Sequence, residues 1–342
     1  MIKFEKVSKV FPGTKKPAVE DLSFEVAQGS ICVFVGPSGC GKTTVLKMIN
    51  RLIEPTTGSI LIEGKNIMGA DPVQLRRKVG YVIQQIGLLP HRTVYENIAL
   101  VPSLLRWSHK AIEQRVQLLL NLIGLDHEEV YHKYPGQLSG GEMQRIGVAR
   151  ALAADPPIML MDEPFGAVDP IIRQHLQEEF LRIQQEMRKT IIFVTHDINE
   201  AVKMGDVIAI MNQGQLVQYG KPIDILARPA SRFVVEILGE DRTMKLLDLM
   251  KVEKLMTSFK EHSQWEKGEC PAGKFQENVE IGQNGHTVLE AQQSVKFALE
   301  VMMRDNLDQV GVHQDDTLVG TLGWENIKNF ISQLEKEAAY EH

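Results

Sequence analysis

The residues with the clearest chemical meaning form a glycine-rich loop near the start of the chain. The loop consists of Gly36, Pro37, Ser38, Gly39, Cys40, Gly41, Lys42, Thr43 and Thr44. It lies between the apolar run 31–35 and the helix-forming run 45–49, and this setting gives the pattern G-x-x-x-x-G-K-[ST] its meaning. Backbone N–H groups of such a loop surround phosphate oxygens, the lysine reaches the outer phosphates and the threonine hydroxyl ligates Mg²⁺. The loop therefore predicts a nucleotide-phosphate site.

Two carboxylates supply the second half of the predicted site. Asp162 and Glu163 follow the apolar run 157–161, which is typical of a strand buried on both faces of a parallel sheet. Asp162 is suited to hold the Mg²⁺ that bridges the phosphates, and Glu163 to take a proton from an attacking water. The alternative, two exposed loop acids, is disfavoured because the same chain carries Lys42 and Thr43.

The surrounding pattern indicates an α/β fold that gathers these groups at one edge. Runs 2–7 and 22–26 alternate like antiparallel strands, whereas run 190–195 is a second buried strand that ends before His196. Ligands bind at the carboxyl ends of strands in open α/β sheets. We therefore expect the polar residues after the buried strands to lie near the phosphate loop.

Size and composition exclude several classes of protein. The 342 residues suffice for two domains, and the formal net charge of −6 argues against a general nucleic-acid binder. No apolar run approaches the roughly 18 residues that a membrane span needs. Cys32, Cys40 and Cys270 match neither a disulfide framework nor a zinc spacing. We expect a cytosolic protein that binds no nucleic acid.

Over residues 1–238 the order of motifs resembles the ATP-binding cassette (ABC) family of transporter ATPases. The loop at 36–44 matches the family's Walker A motif, and 158–163 matches Walker B with its glutamate. Residues 138–142, which read LSGGE, match the signature loop of this family. The remaining matches are Phe11 at the adenine-stacking position, Gln84 in the glutamine loop, Asp169 in the D-loop and His196 as the switch histidine.

This resemblance implies a mixed-sheet nucleotide-binding domain with a helical subdomain, and a full set of site residues for ATP and Mg²⁺. Catalysis is expected of Glu163, His196 and Gln84. Mg²⁺ is expected on Thr43, Gln84 and Asp162. ATP is expected to contact Phe11, the loop 36–44, Ser139, Gly140, Gly141 and Asp169.

The resemblance also implies a homodimer. Two cassettes of the family dock head to tail, so that each ATP lies between Lys42 of one subunit and Ser139 of the other. Glu142 stands where the family more often has Gln, and a carboxylate near the γ-phosphate would repel it. We therefore expect the Glu142 carboxylate to point away from the nucleotide.

ATP hydrolysis is expected to drive transport through a separate membrane permease. The helical insert after Gln84 carries the family's docking surface, and residues 88–97 are expected to form part of it. This places the chain at the cytoplasmic face of the plasma (inner) membrane as a peripheral subunit. A substrate-binding protein is expected as an indirect partner.

Residues 239–342 predict a second, smaller α+β domain. Its helix–strand–strand–helix order after a lead-in at 252–257 resembles one motif of the cystathionine-β-synthase (CBS) type, while 259–285 indicates a loop. Such a domain is expected to dimerise, and to hold an adenine nucleotide or respond to salt. The alternative is a generic appendage that stabilises the dimer.

A cassette followed by a CBS-like domain resembles the ATPases of osmoprotectant importers, which take up glycine betaine, carnitine, choline or proline. One alternative keeps the ATPase and changes the cargo to an amino acid or another small solute. Another is a cassette ATPase of DNA repair or translation, which the short interval from Gln84 to Leu138 and the single cassette disfavour. A non-catalytic sensor is disfavoured because Glu163 and His196 are both present.

Overall fold

The computed structural model describes residues 1–83, 87–166, 169–258, 280–281, 287–315 and 317–340. The chain divides into two compact units, Met1–Pro222 and Ile223–His342. Among the described helices, none is long and apolar enough to cross a membrane.

The first unit contains two sheets and a helical insert within its described residues. Its strands are β1 (Ile2–Lys9), β2 (Val19–Val26), β3 (Ile31–Val35), β4 (Thr57–Ile62), β5 (Lys65–Asn66), β6 (Val79–Val82), β7 (Ile158–Asp162), β8 (Thr190–Thr195), β9 (Val207–Asn212) and β10 (Gln215–Gly220). Its helices are α1 (Lys42–Ile49), α2 (Pro72–Arg77), α3 (Val94–Leu104), α4 (His109–Leu122), α5 (His127–Val130), α6 (Gly140–Leu152), α7 (Pro170–Met187) and α8 (Ile198–Met204).

The larger sheet places the ends of its buried strands side by side. Its described strands run in the order β10-β9-β3-β8-β7-β6, and all neighbours are parallel except β10 and β9. Every residue of β3, β7 and β8 is buried, which confirms the prediction of buried parallel strands. The smaller sheet has the order β2-β1-β4-β5 with antiparallel pairing, as the alternating runs predicted.

One hydrophobic core joins the two sheets and the helix that follows the glycine-rich loop. Phe24 links the sheets, because its ring stacks on Phe4 at 4.5 Å and meets Phe34 edge-on at 5.2 Å. Leu46 and Met48 of α1 are fully buried in the same cluster. The start of α1 is thereby held at a fixed position relative to the sheet edge.

The second unit combines short helices with a mixed sheet. Its helices are α9 (Pro222–Ala227), α10 (Arg232–Leu238), α11 (Arg242–Leu249), α12 (Val295–Arg304) and α13 (Trp324–Tyr340). Its described strands are β11 (Thr257–Ser258), β12 (Glu280–Ile281), β13 (Thr287–Glu290), β14 (Gln309–Gln314) and β15 (Thr317–Gly323), in the order β11-β15-β14-β13-β12. Only β13 and β14 pair in parallel among them.

Two details of this unit differ from the sequence-based expectation. The packing units divide at Pro222, ahead of the expected domain boundary after residue 238, because α9 and α10 group with the second unit. Leu238, the last residue of α10, is fully buried, and its carbonyl accepts a hydrogen bond from Lys245 Nζ of α11 at 2.8 Å. Such contacts join α10 to the elements that follow it. Residues 280–281 form β12 against β13 where a loop was expected, and the rest of 259–285 lies outside the described residues.

Candidate active site

The glycine-rich loop connects the carboxyl end of β3 to the first residue of α1. Lys42 is 6% exposed, and its Nζ donates hydrogen bonds to the carbonyl oxygens of Gly36 at 2.6 Å and Pro37 at 2.9 Å. The lysine ammonium is therefore held against the loop from which backbone N–H groups can reach an anion. A triphosphate oxygen would compete with these carbonyl oxygens for the same three N–H donors.

Two glycines of the loop are required by its backbone. Gly41 has φ +108°, and a Cβ there would lie 2.5 Å from the Ala18 carbonyl oxygen. Gly36 has φ +154°, and a Cβ there would collide with the Met211 carbonyl oxygen. The loop thus passes between two carbonyl groups of other segments, where no other residue type fits.

The structure brings together Thr43 of α1 and Asp162 at the end of β7. The Thr43 hydroxyl donates a hydrogen bond to Asp162 Oδ1 at 3.2 Å. Burial raises the pKa of Asp162 above its usual value, while the hydrogen bond from Thr43 acts in the opposite direction. A hydroxyl and a carboxylate are the oxygen ligands that Mg²⁺ prefers beside phosphate oxygens.

Glu163 and His196 meet at the ends of the neighbouring strands β7 and β8. Glu163 Oε2 lies 3.4 Å from His196 Nδ1, and the Glu163 N–H donates to the Val194 carbonyl at 2.9 Å. Glu163 has φ +48°, a conformation that is uncommon for a non-glycine residue and turns the chain away from β7. The two side chains predicted to act in hydrolysis are therefore adjacent.

Ser139 is the N-cap of α6 and is bonded to Glu142, whose expected orientation away from the nucleotide stays a prediction. The Glu142 carboxylate turns back onto Ser139, where Oε2 accepts hydrogen bonds from the backbone N–H and from the hydroxyl, each at 2.7 Å. The Glu142 N–H in turn donates to Ser139 Oγ at 3.2 Å, which completes a capping box. Hydrogen bonds from the Ser139 N–H and hydroxyl lower the pKa of Glu142, which favours its ionised form beside Ser139.

The other predicted site residues have local placements. Phe11 is half-buried in the turn between β1 and β2, with Lys9 Nζ 5.3 Å from its ring centroid. Asp169 is exposed just before α7, and its carbonyl accepts a hydrogen bond from the Arg173 N–H at 2.9 Å. Gln84 lies outside the described residues. The roles of these three residues stay predictions.

One buried carboxylate close to His196 in the chain was missed from the sequence. Glu200 is 6% exposed, and its Oε2 accepts a hydrogen bond from the Thr195 hydroxyl at 2.6 Å. The spacing of Asp197 and Glu200 is that of a capping pair at a helix start, which predicts a surface contact instead of burial. The sequence therefore carried no signal for an inward-facing glutamate.

These groups form a site suited to phosphate chemistry. No group of three or more His, Cys, Asp or Glu side chains that could hold a metal alone occurs in the described part of the chain. The oxygens of Thr43 and Asp162 fit a cation that is shared with a phosphate, because Mg²⁺ is usually held by one or two protein oxygens plus phosphates and water. One edge of the sheet thus carries a lysine ammonium, two oxygens that suit Mg²⁺, and a carboxylate next to a histidine.

Comparisons with known proteins show which family this chain resembles. A family profile described as "ABC transporter" matches residues 19–166. The glycine betaine/carnitine/choline transport ATP-binding protein OpuCA of Bacillus subtilis (strain 168) is 54% identical over 257 residues, which cover 75% of this chain and 67% of that protein. The choline transport ATP-binding protein OpuBA of the same strain is 46% identical over 341 residues, which cover 97% of this chain and 89% of that protein.

A solved structure extends the likeness to the fold. The dimeric post-hydrolysis state of the ATP-binding cassette MJ0796, bound to ADP and Pi, is 33% identical with a TM-score of 0.59. It covers 65% of this chain, and 99% of that chain is matched. The shared part is therefore the size of one cassette.

Proposed function

This chain belongs to the ABC transporter family of ATP-binding proteins, and we propose that it powers a bacterial importer of quaternary-amine osmoprotectants. It is an ATPase, as the family match and the named relatives indicate. The proposed cargo is glycine betaine, carnitine, choline or proline. The observation that carries the cargo class is the 46% identity to a choline transport ATP-binding protein over 97% of this chain.

In the proposed reaction the chain's own residues bind ATP and activate water. Lys42 and the loop N–H groups contact the phosphate oxygens, and Glu163 takes the proton of the water that attacks the γ-phosphorus. His196, 3.4 Å from Glu163, orients that carboxylate. Thr43 and Asp162 would hold Mg²⁺, which neutralises charge on the phosphates when bound.

We further propose that two copies of this chain form the working unit. ABC cassettes dimerise, as the solved dimer does, and a shared nucleotide would explain why the signature loop and the phosphate loop are separate segments. The Ser139–Glu142 capping box supports a trans site that forms only when nucleotide arrives, since the serine hydroxyl is bonded to its own helix. Phe11 and Asp169 would complete each site.

The helical insert supports a docking role for a membrane permease at the cytoplasmic face of the membrane. Asn97 is fully buried and builds the preceding loop, since Oδ1 accepts from the Leu89 N–H at 2.8 Å and Nδ2 donates to three carbonyl groups. A cavity of about 240 Å³ is lined in part by Arg76, Tyr81 and Arg150, and Arg150 Nη1 donates a hydrogen bond to the Gly87 carbonyl, at the start of this loop, at 2.6 Å. A preformed loop beside such a cavity could accept a helix of a permease that receives solute from a binding protein.

For the second unit we propose a regulatory CBS-like domain. Its order of β13, α12, β14, β15 and α13 agrees with the expected helix–strand–strand–helix motif. A cavity of about 290 Å³, lined in part by Glu290 and Asp315, lies at the carboxyl ends of the parallel strands β13 and β14. Ligands commonly bind at such strand ends, and an adenine nucleotide is the proposed occupant.

Shortening the chain after Glu240 should leave ATP hydrolysis intact and abolish its dependence on ionic strength or on added adenine nucleotide. The reason is that the phosphate loop and both carboxylates lie in the first unit. The measurement is ATPase rate against salt and nucleotide concentration. Val295→Asp, which puts a charge at a fully buried position of α12, should give the same result without shortening the chain. If the shortened chain and Val295→Asp both give the same rate curves as the wild type, the domain has no regulatory role and is only a structural appendage.

The cargo is tested by uptake in cells. Deleting the gene should abolish high-osmolarity uptake of labelled betaine, carnitine, choline or proline, and wild-type chain should restore it. Lys42→Ala should not restore uptake, because the phosphate-binding ammonium is removed. Lys110→Ala, a lysine-to-alanine change at an exposed residue of α4, is the matched control and should behave as wild type. If the deletion abolishes only amino-acid uptake, the osmoprotectant assignment is wrong and the cargo is an amino acid.

A further inference from the structure

Three buried polar side chains from three elements meet behind the switch histidine. They are Thr195 of β8, Gln177 of α7 and Glu200 of α8, with exposures of 2%, 6% and 6%. Gln177 Nε2 donates to Glu200 Oε1 at 3.1 Å, and the Thr195 hydroxyl donates to Glu200 Oε2 at 2.6 Å. Both carboxylate oxygens therefore have a donor, and the three side chains form one network.

The network continues into the backbone that carries His196. The Asp197 N–H donates a hydrogen bond to Thr195 Oγ at 3.0 Å. The hydroxyl that donates to Glu200 therefore also accepts a hydrogen bond from the residue that follows His196. Asp197 is held further, since its Oδ1 accepts from the Asn199 N–H at 2.8 Å. The peptide that follows His196 is thus tied to the buried Thr195 hydroxyl.

The imidazole itself has little packing to fix it. The His196 side chain is 60% exposed, yet its Nδ1 lies 3.4 Å from Glu163 Oε2. Since the ring has few packing contacts, whether one of its rotamers reaches Glu163 depends on where the backbone places the His196 Cα. The hydrogen bond from the Asp197 N–H to Thr195 Oγ restrains the peptide that follows His196 and thereby this placement.

The buried charge is hard to explain by stability alone. Burial raises the pKa of Glu200, which means that the ionised form is disfavoured by its surroundings. Replacing a buried charged group and its partners by well-packed apolar residues is often neutral or stabilising. A carboxylate retained at this place therefore calls for a role in geometry.

We propose that Glu200 is a positioning residue of the hydrolytic site, which holds the Thr195 hydroxyl so that the following peptide presents His196 to Glu163. Through Gln177 it also ties this loop to α7, the helix that begins directly after Asp169. This role rests on the proposed hydrolysis of ATP by Glu163 and His196. It adds a residue that contacts neither nucleotide nor metal.

The test compares Glu200→Ala with Glu200→Gln in the purified full-length chain. Glu200→Ala should lower kcat for ATP about tenfold or more with KM changed less than ~threefold, because a small misplacement of a reacting group costs rate and not ground-state binding. Glu200→Gln should recover most of the rate, since its Oε1 can accept from Thr195 while its amide donates to a rotated Gln177. Wild-type turnover in the same assay tests the proposed ATPase chemistry separately.

A second pair of variants guards against misfolding of the alanine form. Thr195→Val keeps the shape and removes the hydroxyl, so kcat should fall as for Glu200→Ala, whereas Thr195→Ser should recover it. The double variant Glu200→Ala/Thr195→Val should lose no more than the worse single variant, because both break one chain of bonds. Unchanged kcat in folded Glu200→Ala, equal losses in the alanine and glutamine forms, or a change in KM alone would each overturn the proposal.

Discussion

Glu163→Gln is expected to lose at least ~100-fold in ATP turnover while still binding ATP, because the amide keeps the shape of the side chain but cannot take a proton from water. The 3.4 Å contact with His196 Nδ1 survives as a neutral one. Since nucleotide would be bound and not consumed, an ATP-bound dimer should accumulate. The measurements are steady-state phosphate release, ATP affinity and size-exclusion chromatography with ATP.

A matched glutamate separates this effect from the loss of any carboxylate. Glu186→Gln, an exposed position of α7, should hydrolyse ATP at the wild-type rate. Wild-type turnover by Glu163→Gln would refute the assignment of the base. A slow variant that stays monomeric with ATP would instead refute the proposed homodimer.

Gly41→Ala should weaken ATP binding at least tenfold, which corresponds to about 1.4 kcal/mol. A Cβ at this position would lie 2.5 Å from the Ala18 carbonyl oxygen, and backbone groups cannot move aside as a flexible side chain can. The loop must therefore shift, and its N–H groups and Lys42 shift with it. Equilibrium binding of a labelled ATP analogue and the thermal unfolding midpoint are the measurements.

Gly64→Ala is the control for backbone strain. Gly64 has φ +74° in the exposed turn between β4 and β5, and a Cβ there would meet nothing within 4 Å. Alanine at position 64, like alanine at position 41, has the cost of a positive φ, roughly 1–3 kcal/mol, but its Cβ collides with nothing. It should lower stability and leave ATP affinity at the wild-type value. Equal ATP affinity in the two variants would show that close approach at Gly41 does not shape the loop.

The sequence was most informative where one local rule decides the outcome. An apolar run that ends in a polar residue indicates a buried parallel strand and its functional end, and both Asp162 and His196 follow this rule. The glycine pattern at 36–44 likewise depends on local backbone geometry. The positions of Asp162, His196 and the loop 36–44 could be predicted because residues adjacent in the chain determine them.

The sequence was least informative where a side chain had two possible partners. Glu142 was considered only in relation to a nucleotide, whereas in the structure its carboxylate caps α6 through Ser139. Glu200 could cap α8 at the surface, but the Thr195 hydroxyl and Gln177 draw it inside. Such choices depend on groups that only the tertiary fold brings near.

The order of strands in the larger sheet has a consequence for the synthesis of the chain. β3 ends at Val35, whereas its two neighbours, β8 and β9, begin at Thr190 and Val207. At 5–20 residues per second, a nascent chain waits roughly 8 to 30 s between making β3 and making its first partner. During that interval five apolar residues with unpaired backbone groups lack their sheet, and the phosphate loop lacks its support. Ribosome-bound fragments that end before β8 are therefore expected to need a chaperone and to be unable to bind ATP.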